Sequence, residues 1–88
     1  MLKRLNNNLV MHLEIITPEK KLFEGDVQSV KLPGKSGEFE ILNNHASIVA
    51  TLIKGKIRII KNDNSIDNFE VNGGVIEMNN NKVIVLAE

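Results

Sequence analysis

Two histidines, His12 and His45, are the side chains best suited by type to acid–base or metal chemistry near neutral pH. A general base needs a partner in a pocket, and a zinc site needs several His or Cys ligands at short spacing. The chain has no cysteine, no paired histidines, no Ser-His-Asp order and no GxSxG motif. The sequence therefore predicts no catalytic residue, no metal site and no bound cofactor.

Glycine-rich segments raise the separate question of a phosphate site, because bare backbone N–H groups can surround an anion. The segment Gly34-Lys35-Ser36 matches the last residues of a nucleotide-binding P-loop. The match fails, because such a loop needs an earlier glycine and a following helix, whereas residues 38–42 alternate as a strand. These glycines and the Asn72-Gly73-Gly74 group are interpreted as turn residues, and Glu38 and Glu40 as a solvated strand face.

The composition indicates a single small domain. With 88 residues the chain can bury one core, and its eleven basic residues balance eleven acidic ones without forming a basic stripe. Nucleic acid is therefore not an expected partner. The apolar runs are far shorter than the roughly 20 residues that span a bilayer, so we expect a soluble, unsecreted protein that meets a membrane only through a protein complex.

Apolar and polar residues alternate with a period of two in many short segments, which predicts half-buried strands and almost no helix. The predicted strands are residues 11–17, 26–32, 38–42, 48–53, 56–61, 66–71, 75–78 and 82–87, with 21–23 as a candidate for a further short one. The inward-facing pairs are predicted to be Val30 and Leu32, Phe39 and Ile41, Ile57 and Ile59, Phe69 and Val71, and Ile76 and Met78. The neighbours predicted to face water are Lys31, Glu38, Glu40, Arg58, Glu70 and Glu77.

Turn residues separate these segments so closely that no crossover helix fits between them. The predicted turns are Thr17-Pro18-Glu19, Glu24-Gly25-Asp26, Leu32-Pro33-Gly34, Ser36-Gly37, Lys54-Gly55, Asn62-Asp63-Asn64, Asn72-Gly73-Gly74 and Asn79-Asn80-Asn81. We therefore expect a mostly antiparallel β-sandwich or flattened barrel over residues 11–88. Residues 1–10 lack the alternation and are predicted to be a poorly ordered N-terminal tail, with Met11 as an alternative start.

Several of these pieces, taken in order, resemble one known family. They include Leu22-Phe23-Glu24-Gly25-Asp26-Val27, then Gly37-Glu38-Phe39-Glu40-Ile41-Leu42-Asn43-Asn44-His45-Ala46, and Asn81-Lys82-Val83-Ile84-Val85-Leu86-Ala87-Glu88. Segment 13–19 precedes these pieces and segments 30–34, 54–59 and 73–77 lie between them, at the family's spacing. The chain from residue 12 to residue 88 resembles the N-terminal domain of the ATP synthase epsilon subunit.

The resemblance implies an all-β fold, a flattened antiparallel β-sandwich of two roughly five-stranded sheets. Many family members continue into two C-terminal helices that bind ATP and inhibit hydrolysis, whereas this sequence stops at Glu88, so no ATP binding is expected of it. The sequence departs from the family's pattern at one turn. Asn43-Asn44 stands where the family usually has Pro-Gly before its His-Ala loop, and because Asn tolerates left-handed backbone the turn is expected to survive.

The implied function is that of a non-catalytic rotor subunit in the central stalk of a proton-translocating F1Fo ATP synthase, peripheral at the cytoplasmic face of the inner membrane. It would couple rotation of the membrane c-ring to the gamma subunit. The gamma interface carried over from the family is Thr17, His45, Val49 and Ala50, and the c-ring interface is Lys35, Ser36, Gly37, Glu38, Asn43 and Asn44. The alternatives left open are a free-standing β-sandwich ligand-binding module and, for the doubly apolar strand around Val49, complete burial in the core.

Overall fold

The computed structural model describes residues 10–88, and all of its regular structure is β-strand. The strands are β1 (Met11–Ile16), β2 (Lys21–Gly34), β3 (Gly37–Leu42), β4 (Ile48–Lys61), β5 (Ile66–Asn79) and β6 (Lys82–Ala87). None of the described residues is helical, which confirms the predicted all-β class. The predicted tail over residues 1–10 lies outside the described residues except for Val10.

Three of the strands are longer than the alternation predicted. Strands β2, β4 and β5 each run for 14 residues and each joins two segments that were expected to be separate. The turns predicted at Glu24-Gly25-Asp26, Lys54-Gly55 and Asn72-Gly73-Gly74 are therefore wrong. The strands run through these glycines without reversing, and β4 and β5 pair from Ile48↔Met78 to Ile60↔Ile66. The turn predicted at Leu32-Pro33-Gly34 is also wrong, because β2 continues to Gly34 and the chain reverses at Lys35 and Ser36.

Each long strand runs from one of two packed layers into the other, which makes the fold a flattened β-sandwich, as predicted. The first layer contains β1, β6, residues 21–27 of β2, 48–53 of β4 and 74–79 of β5. The second contains β3 with residues 29–34 of β2, 55–61 of β4 and 66–71 of β5. Hydrogen bonding is continuous in the order β1-β6-β5-β4-β2-β3, and β1 also pairs with β2, so the sheet closes on itself. The β1–β6 pair is parallel and the others are antiparallel.

The core fills the space between the layers. Of the predicted inward pairs, Phe39 and Phe69 are half-buried against the core and the others are buried; the buried members are Val30, Leu32, Ile41, Ile57, Ile59, Val71, Ile76 and Met78. The core also contains residues outside the predicted pairs, namely Met11, Leu13, Ile15, Val27, Leu52, Val83, Val85 and Ala87. Alternation along each strand thus places one apolar row inside, as period-two patterning requires.

Gly74 marks the point where β5 enters the first layer, between Leu52 of β4 and Ala87 of β6. Its φ is +146°, a conformation that side chains disfavour. A Cβ at this position would overlap the carbonyl oxygen of Leu86 and would lie 3.0 Å from the Cα of Ala87. Glycine is required here for both conformation and space.

Candidate functional site

The loop between β3 and β4, residues 43–47, carries His45 at one end of the first layer. Asn44 has a φ of +62°, which confirms that an asparagine here adopts the left-handed turn. His45 is exposed, and its Nδ1 donates to the Ala46 carbonyl oxygen at 2.8 Å. That bond leaves Nε2 of a neutral ring as an acceptor.

The same loop borders the turn between β5 and β6. The two segments line an open cleft of about 630 Å³ together with Val10. The backbone N–H of Asn44 donates to Oδ1 of Asn81 at 2.8 Å, and the Ser47 hydroxyl donates to Oδ1 of Asn79 at 3.1 Å. The predicted residues Asn44 and His45 are thus brought to the turn that precedes β6.

The β2–β3 hairpin lies against the start of β4. Lys35, Ser36, Gly37 and Glu38 line a groove of about 500 Å³ with Val49, Ala50 and Thr51, among others. The backbone N–H of Lys35 donates to the Thr51 carbonyl oxygen at 2.9 Å, which fixes the hairpin beside the strand. The structure therefore places the hairpin predicted for the c-ring beside residues predicted for gamma.

Val49 and Ala50 face opposite sides of β4. Ala50 is half-buried and packs against the core, whereas Val49 is 71% exposed. The alternative that this strand is completely buried is therefore wrong for Val49. Its apolar side chain contributes little to the core of the isolated chain.

Val49 belongs to a larger apolar surface, which we call the apolar face: Val49, Ile53, Val75 and Leu86. All four lie on the outside of the first layer and are 42–71% exposed. Val75 stands opposite Leu86 on one side and Thr51 on the other, and Thr51 lies between Val49 and Ile53 along β4. Ile53, Val75 and Leu86 were not predicted from the sequence, although Val83-Ile84-Val85-Leu86 shows the same pattern as Ile48-Val49-Ala50, namely apolar residues at consecutive strand positions.

Thr17 lies away from the other predicted gamma residues. It closes a tight turn by donating its hydroxyl to the Lys20 carbonyl oxygen at 2.9 Å. Thr17 follows Ile16, which pairs with Leu86 at one end of β1. At the other end of β1, the His12 backbone N–H donates to the carbonyl oxygen of Asn81, whose turn borders the loop that carries His45. The length of β1 separates the two ends by roughly 15 Å, so Thr17 and His45 flank the first layer at opposite ends.

His12 is part of a charged cluster on the outside of β1 and β2. Its Nδ1 lies 3.1 Å from Oδ1 of Asp26 and its Nε2 lies 3.2 Å from Oε2 of Glu24. Only the imidazolium can donate from both nitrogens. The pKa of His12 is raised, chiefly by the hydrogen bond to Asp26 and also by Glu24, against a lowering by burial. Lys82 of β6 is the register neighbour of His12 on the other side.

The raised pKa of His12 predicts a pH-dependent stability. Because the folded-state pKa lies above the unfolded one, the stabilisation is complete below about pH 6.5 and is lost as the pH rises through the folded value. The side chain is 37% exposed, so the loss should stay below about 1 kcal/mol after allowance for solvent screening. Urea unfolding between pH 5.5 and 8.5 measures it. His12→Gln should flatten the profile, and an equally steep profile in this variant would refute the assignment.

Among residues 10–88 there is no cluster of His, Cys, Asp or Glu able to hold a metal ion. The same residues include no helix long and apolar enough to cross a membrane.

Comparison with known proteins places this geometry in a family. Residues 10–88 match the family model of the ATP synthase delta/epsilon chain β-sandwich domain. The ATP synthase epsilon chain of Chlorobium limicola is 45% identical over 76 residues, which cover 86% of both chains. That of Sulfurimonas denitrificans is 44% identical over 78 residues, 89% of this chain and 60% of its own length.

Solved structures share the fold at low sequence identity. A chain in the Euglena gracilis mitochondrial ATP synthase, solved with its OSCP, F1 and c-ring, superposes with a TM-score of 0.84 at 17% identity and covers 90% of this chain. One in the central stalk and c-ring of the Tetrahymena thermophila enzyme gives 0.73 at 18% identity and covers 88%. This chain spans about half of the Euglena chain, 51%, and 62% of the Tetrahymena one.

Proposed function

The chain belongs to the ATP synthase delta/epsilon chain family, and we propose on that premise that its β-sandwich couples rotation of the c-ring to the gamma subunit. It is a non-catalytic subunit of the complex, in the central-stalk rotor. The family match sets aside the alternative of a free-standing ligand-binding module. Attachment to the membrane is through the complex, at its cytoplasmic face.

The proposed contact with gamma rests on the exposed apolar face. Isolated apolar side chains on a surface need no explanation, but four on the outside of three neighbouring strands, grouped around Thr51, indicate a covered surface. Val49 is the most exposed of them at 71%. We propose that gamma covers this face, with His45 and Thr17 at its two ends and Ala50 supporting Val49 from the core side.

The c-ring contact is proposed for the β2–β3 hairpin and the adjoining loop, namely Lys35, Ser36, Gly37, Glu38, Asn43 and Asn44. Glu38 is exposed at the start of β3, and its carboxylate lies 3.5 Å from the Lys31 ammonium. Hairpin and apolar face are joined by the packed sandwich. Because packed interiors deform little, force applied at the hairpin reaches the gamma contact without slack.

Binding to purified gamma tests the proposed function directly. We expect the wild-type chain to form a stable complex with gamma and to be retained on ATP synthase that has been depleted of its own epsilon chain. Size-exclusion chromatography and sedimentation would detect both complexes. A folded wild-type chain that binds neither would refute the proposal.

Glu38→Ala tests the ring contact separately. Glu38 is a solvent-screened rim charge, so its loss should weaken attachment to the ring only a few-fold at low salt and should not affect folding. The difference from wild type should shrink at high salt, because screening already weakens the wild-type contact. Glu70→Ala, which removes an exposed carboxylate from β5, is the matched control. Equal attachment of both variants at low salt would contradict the assignment of Glu38.

A further inference from the structure

Asn44 and Asn81 form an amide pair that joins two loops far apart in the chain. The backbone N–H of Asn44 donates to Oδ1 of Asn81 at 2.8 Å, and Nδ2 of Asn81 donates back to Oδ1 of Asn44 at 3.4 Å. Both residues have left-handed backbone, with φ of +62° and +61°. Asn81 also accepts the bond from the backbone N–H of His12 through its carbonyl oxygen. One residue therefore connects the 43–47 loop to the start of β1.

The 43–47 loop depends on such contacts for its order. Its residues lie outside the strands, and apart from Asn43 they are exposed. Besides the amide pair, the described chain holds the loop through the bond from the His45 N–H to the Leu42 carbonyl oxygen at 3.2 Å and through the Ser47–Asn79 bond. Losing the pair would remove the contact at the residue that directly precedes His45.

We propose that Asn81 is a positioning residue for partner binding, which holds the 43–47 loop in the conformation that presents His45 to gamma. The inference rests on the proposed function. Ordering a loop on binding reduces affinity, and a loop already ordered in the free protein avoids that loss. Asn81 itself lies on the β5–β6 turn, outside the proposed contact residues, and acts through Asn44.

The positive φ of Asn81 allows a clean deletion of its side chain. Asn81→Gly removes the amide but keeps a residue suited to the backbone conformation. Asn80→Gly is the matched control, because Asn80 lies in the same turn with a φ of +54° and no hydrogen bond joins its side chain to residues 43–47 within the described chain. Asn81→Asp retains an acceptor for the Asn44 N–H and tolerates left-handed backbone, so it is the rescue variant.

Two readouts separate positioning from general stability. Hydrogen exchange in the free protein reports the Asn44 N–H, which should exchange at least about tenfold faster in Asn81→Gly than in Asn80→Gly. Titration with purified gamma should show about five- to tenfold weaker binding for Asn81→Gly than for Asn80→Gly, the effect expected for one or two lost hydrogen bonds. Asn81→Asp should restore most of both. The unfolding midpoint of Asn81→Gly should fall slightly below that of Asn80→Gly, because the lost hydrogen bonds also stabilise the folded chain, and both variants should be fully folded under the conditions of the titration.

The outcomes distinguish this inference from the proposed function. If Asn81→Gly and Asn80→Gly have the same Asn44 exchange rate or the same gamma affinity, the positioning role is overturned. If the wild-type chain fails to bind gamma while the exchange rates differ as expected, the proposed function fails, and with it the role in docking. Slow Asn44 exchange in Asn81→Asp together with wild-type affinity supports the inference.

Discussion

Replacing Val49 by Asp is expected to weaken binding to gamma by about a hundredfold or more while the chain stays folded. A carboxylate buried in an interface without a partner costs several kcal/mol, because it loses its water and gains no compensating bond. In the free chain the same carboxylate would stay hydrated, since Val49 is 71% exposed. Glu77 stands opposite position 49 on β5, so the new carboxylate should also lower the unfolding midpoint slightly, but the loss in binding should be much the larger effect. Titration of purified gamma and thermal unfolding measure the two quantities.

Ile66→Asp is the matched control for Val49→Asp. Ile66 is also a large apolar residue, 56% exposed, but it lies at the start of β5 in the second layer, away from the apolar face. Its replacement should leave gamma binding within about twofold of wild type, since surface substitutions outside an interface have small effects. If Val49→Asp is folded and binds as well as Ile66→Asp, the apolar face is not the gamma contact.

Replacing Gly74 by Ala is expected to lower the free energy of unfolding by about 2–3 kcal/mol. Its φ of +146° disfavours any side chain, and the added methyl would overlap the Leu86 carbonyl oxygen, which belongs to the backbone of a paired strand. Relieving this overlap would require β6 to move away from β5. Because β6 also pairs with β1, the cost spreads through the first layer. Urea unfolding monitored by circular dichroism measures the loss.

Gly25→Ala provides the comparison for Gly74→Ala. Gly25 also lies inside a long strand, but a methyl there would meet only the Phe23 side chain, at 3.3 Å from its Cζ, and the backbone φ is an ordinary one. We expect a change below about 1 kcal/mol, because an aromatic ring at this distance can shift by a few tenths of an ångström. Equal losses for the two variants would show that strain and overlap at Gly74 are not the cause.

The alternation of apolar residues predicted the strands and most of the inward pairs, because a strand with one buried face has apolar residues at every second position. It did not predict that three pairs of segments would be continuous strands. Lys54-Gly55 and Asn72-Gly73-Gly74 have the composition of turns, and Gly73 and Gly74 adopt within a strand the positive φ that glycine also permits at a reversal. Only the packing of β4 on β5 along their whole length decides between the two.

The candidate site was partly accessible from the sequence. Val49 could be identified because its neighbours on both sides are apolar, which one-sided burial does not explain. Leu86 and Val75 also have apolar neighbours, but they can be assigned to the apolar face only when the strand register, which places Val75 between Thr51 and Leu86, is known. Asn81 could not be identified, because its bond to Asn44 spans 37 residues of sequence and depends on how two loops meet.

The central claim, that this chain couples the ring to gamma, is tested most directly by ATP-driven ion pumping. Membrane vesicles carrying ATP synthase depleted of its epsilon chain would be supplied with wild-type chain or with Val49→Asp, and pumping would be followed alongside ATP hydrolysis. We expect the wild-type chain to restore pumping per ATP hydrolysed and Val49→Asp to fail to do so at the same concentration. Pumping that is complete without the chain, or that the folded wild-type chain does not restore, would contradict the account.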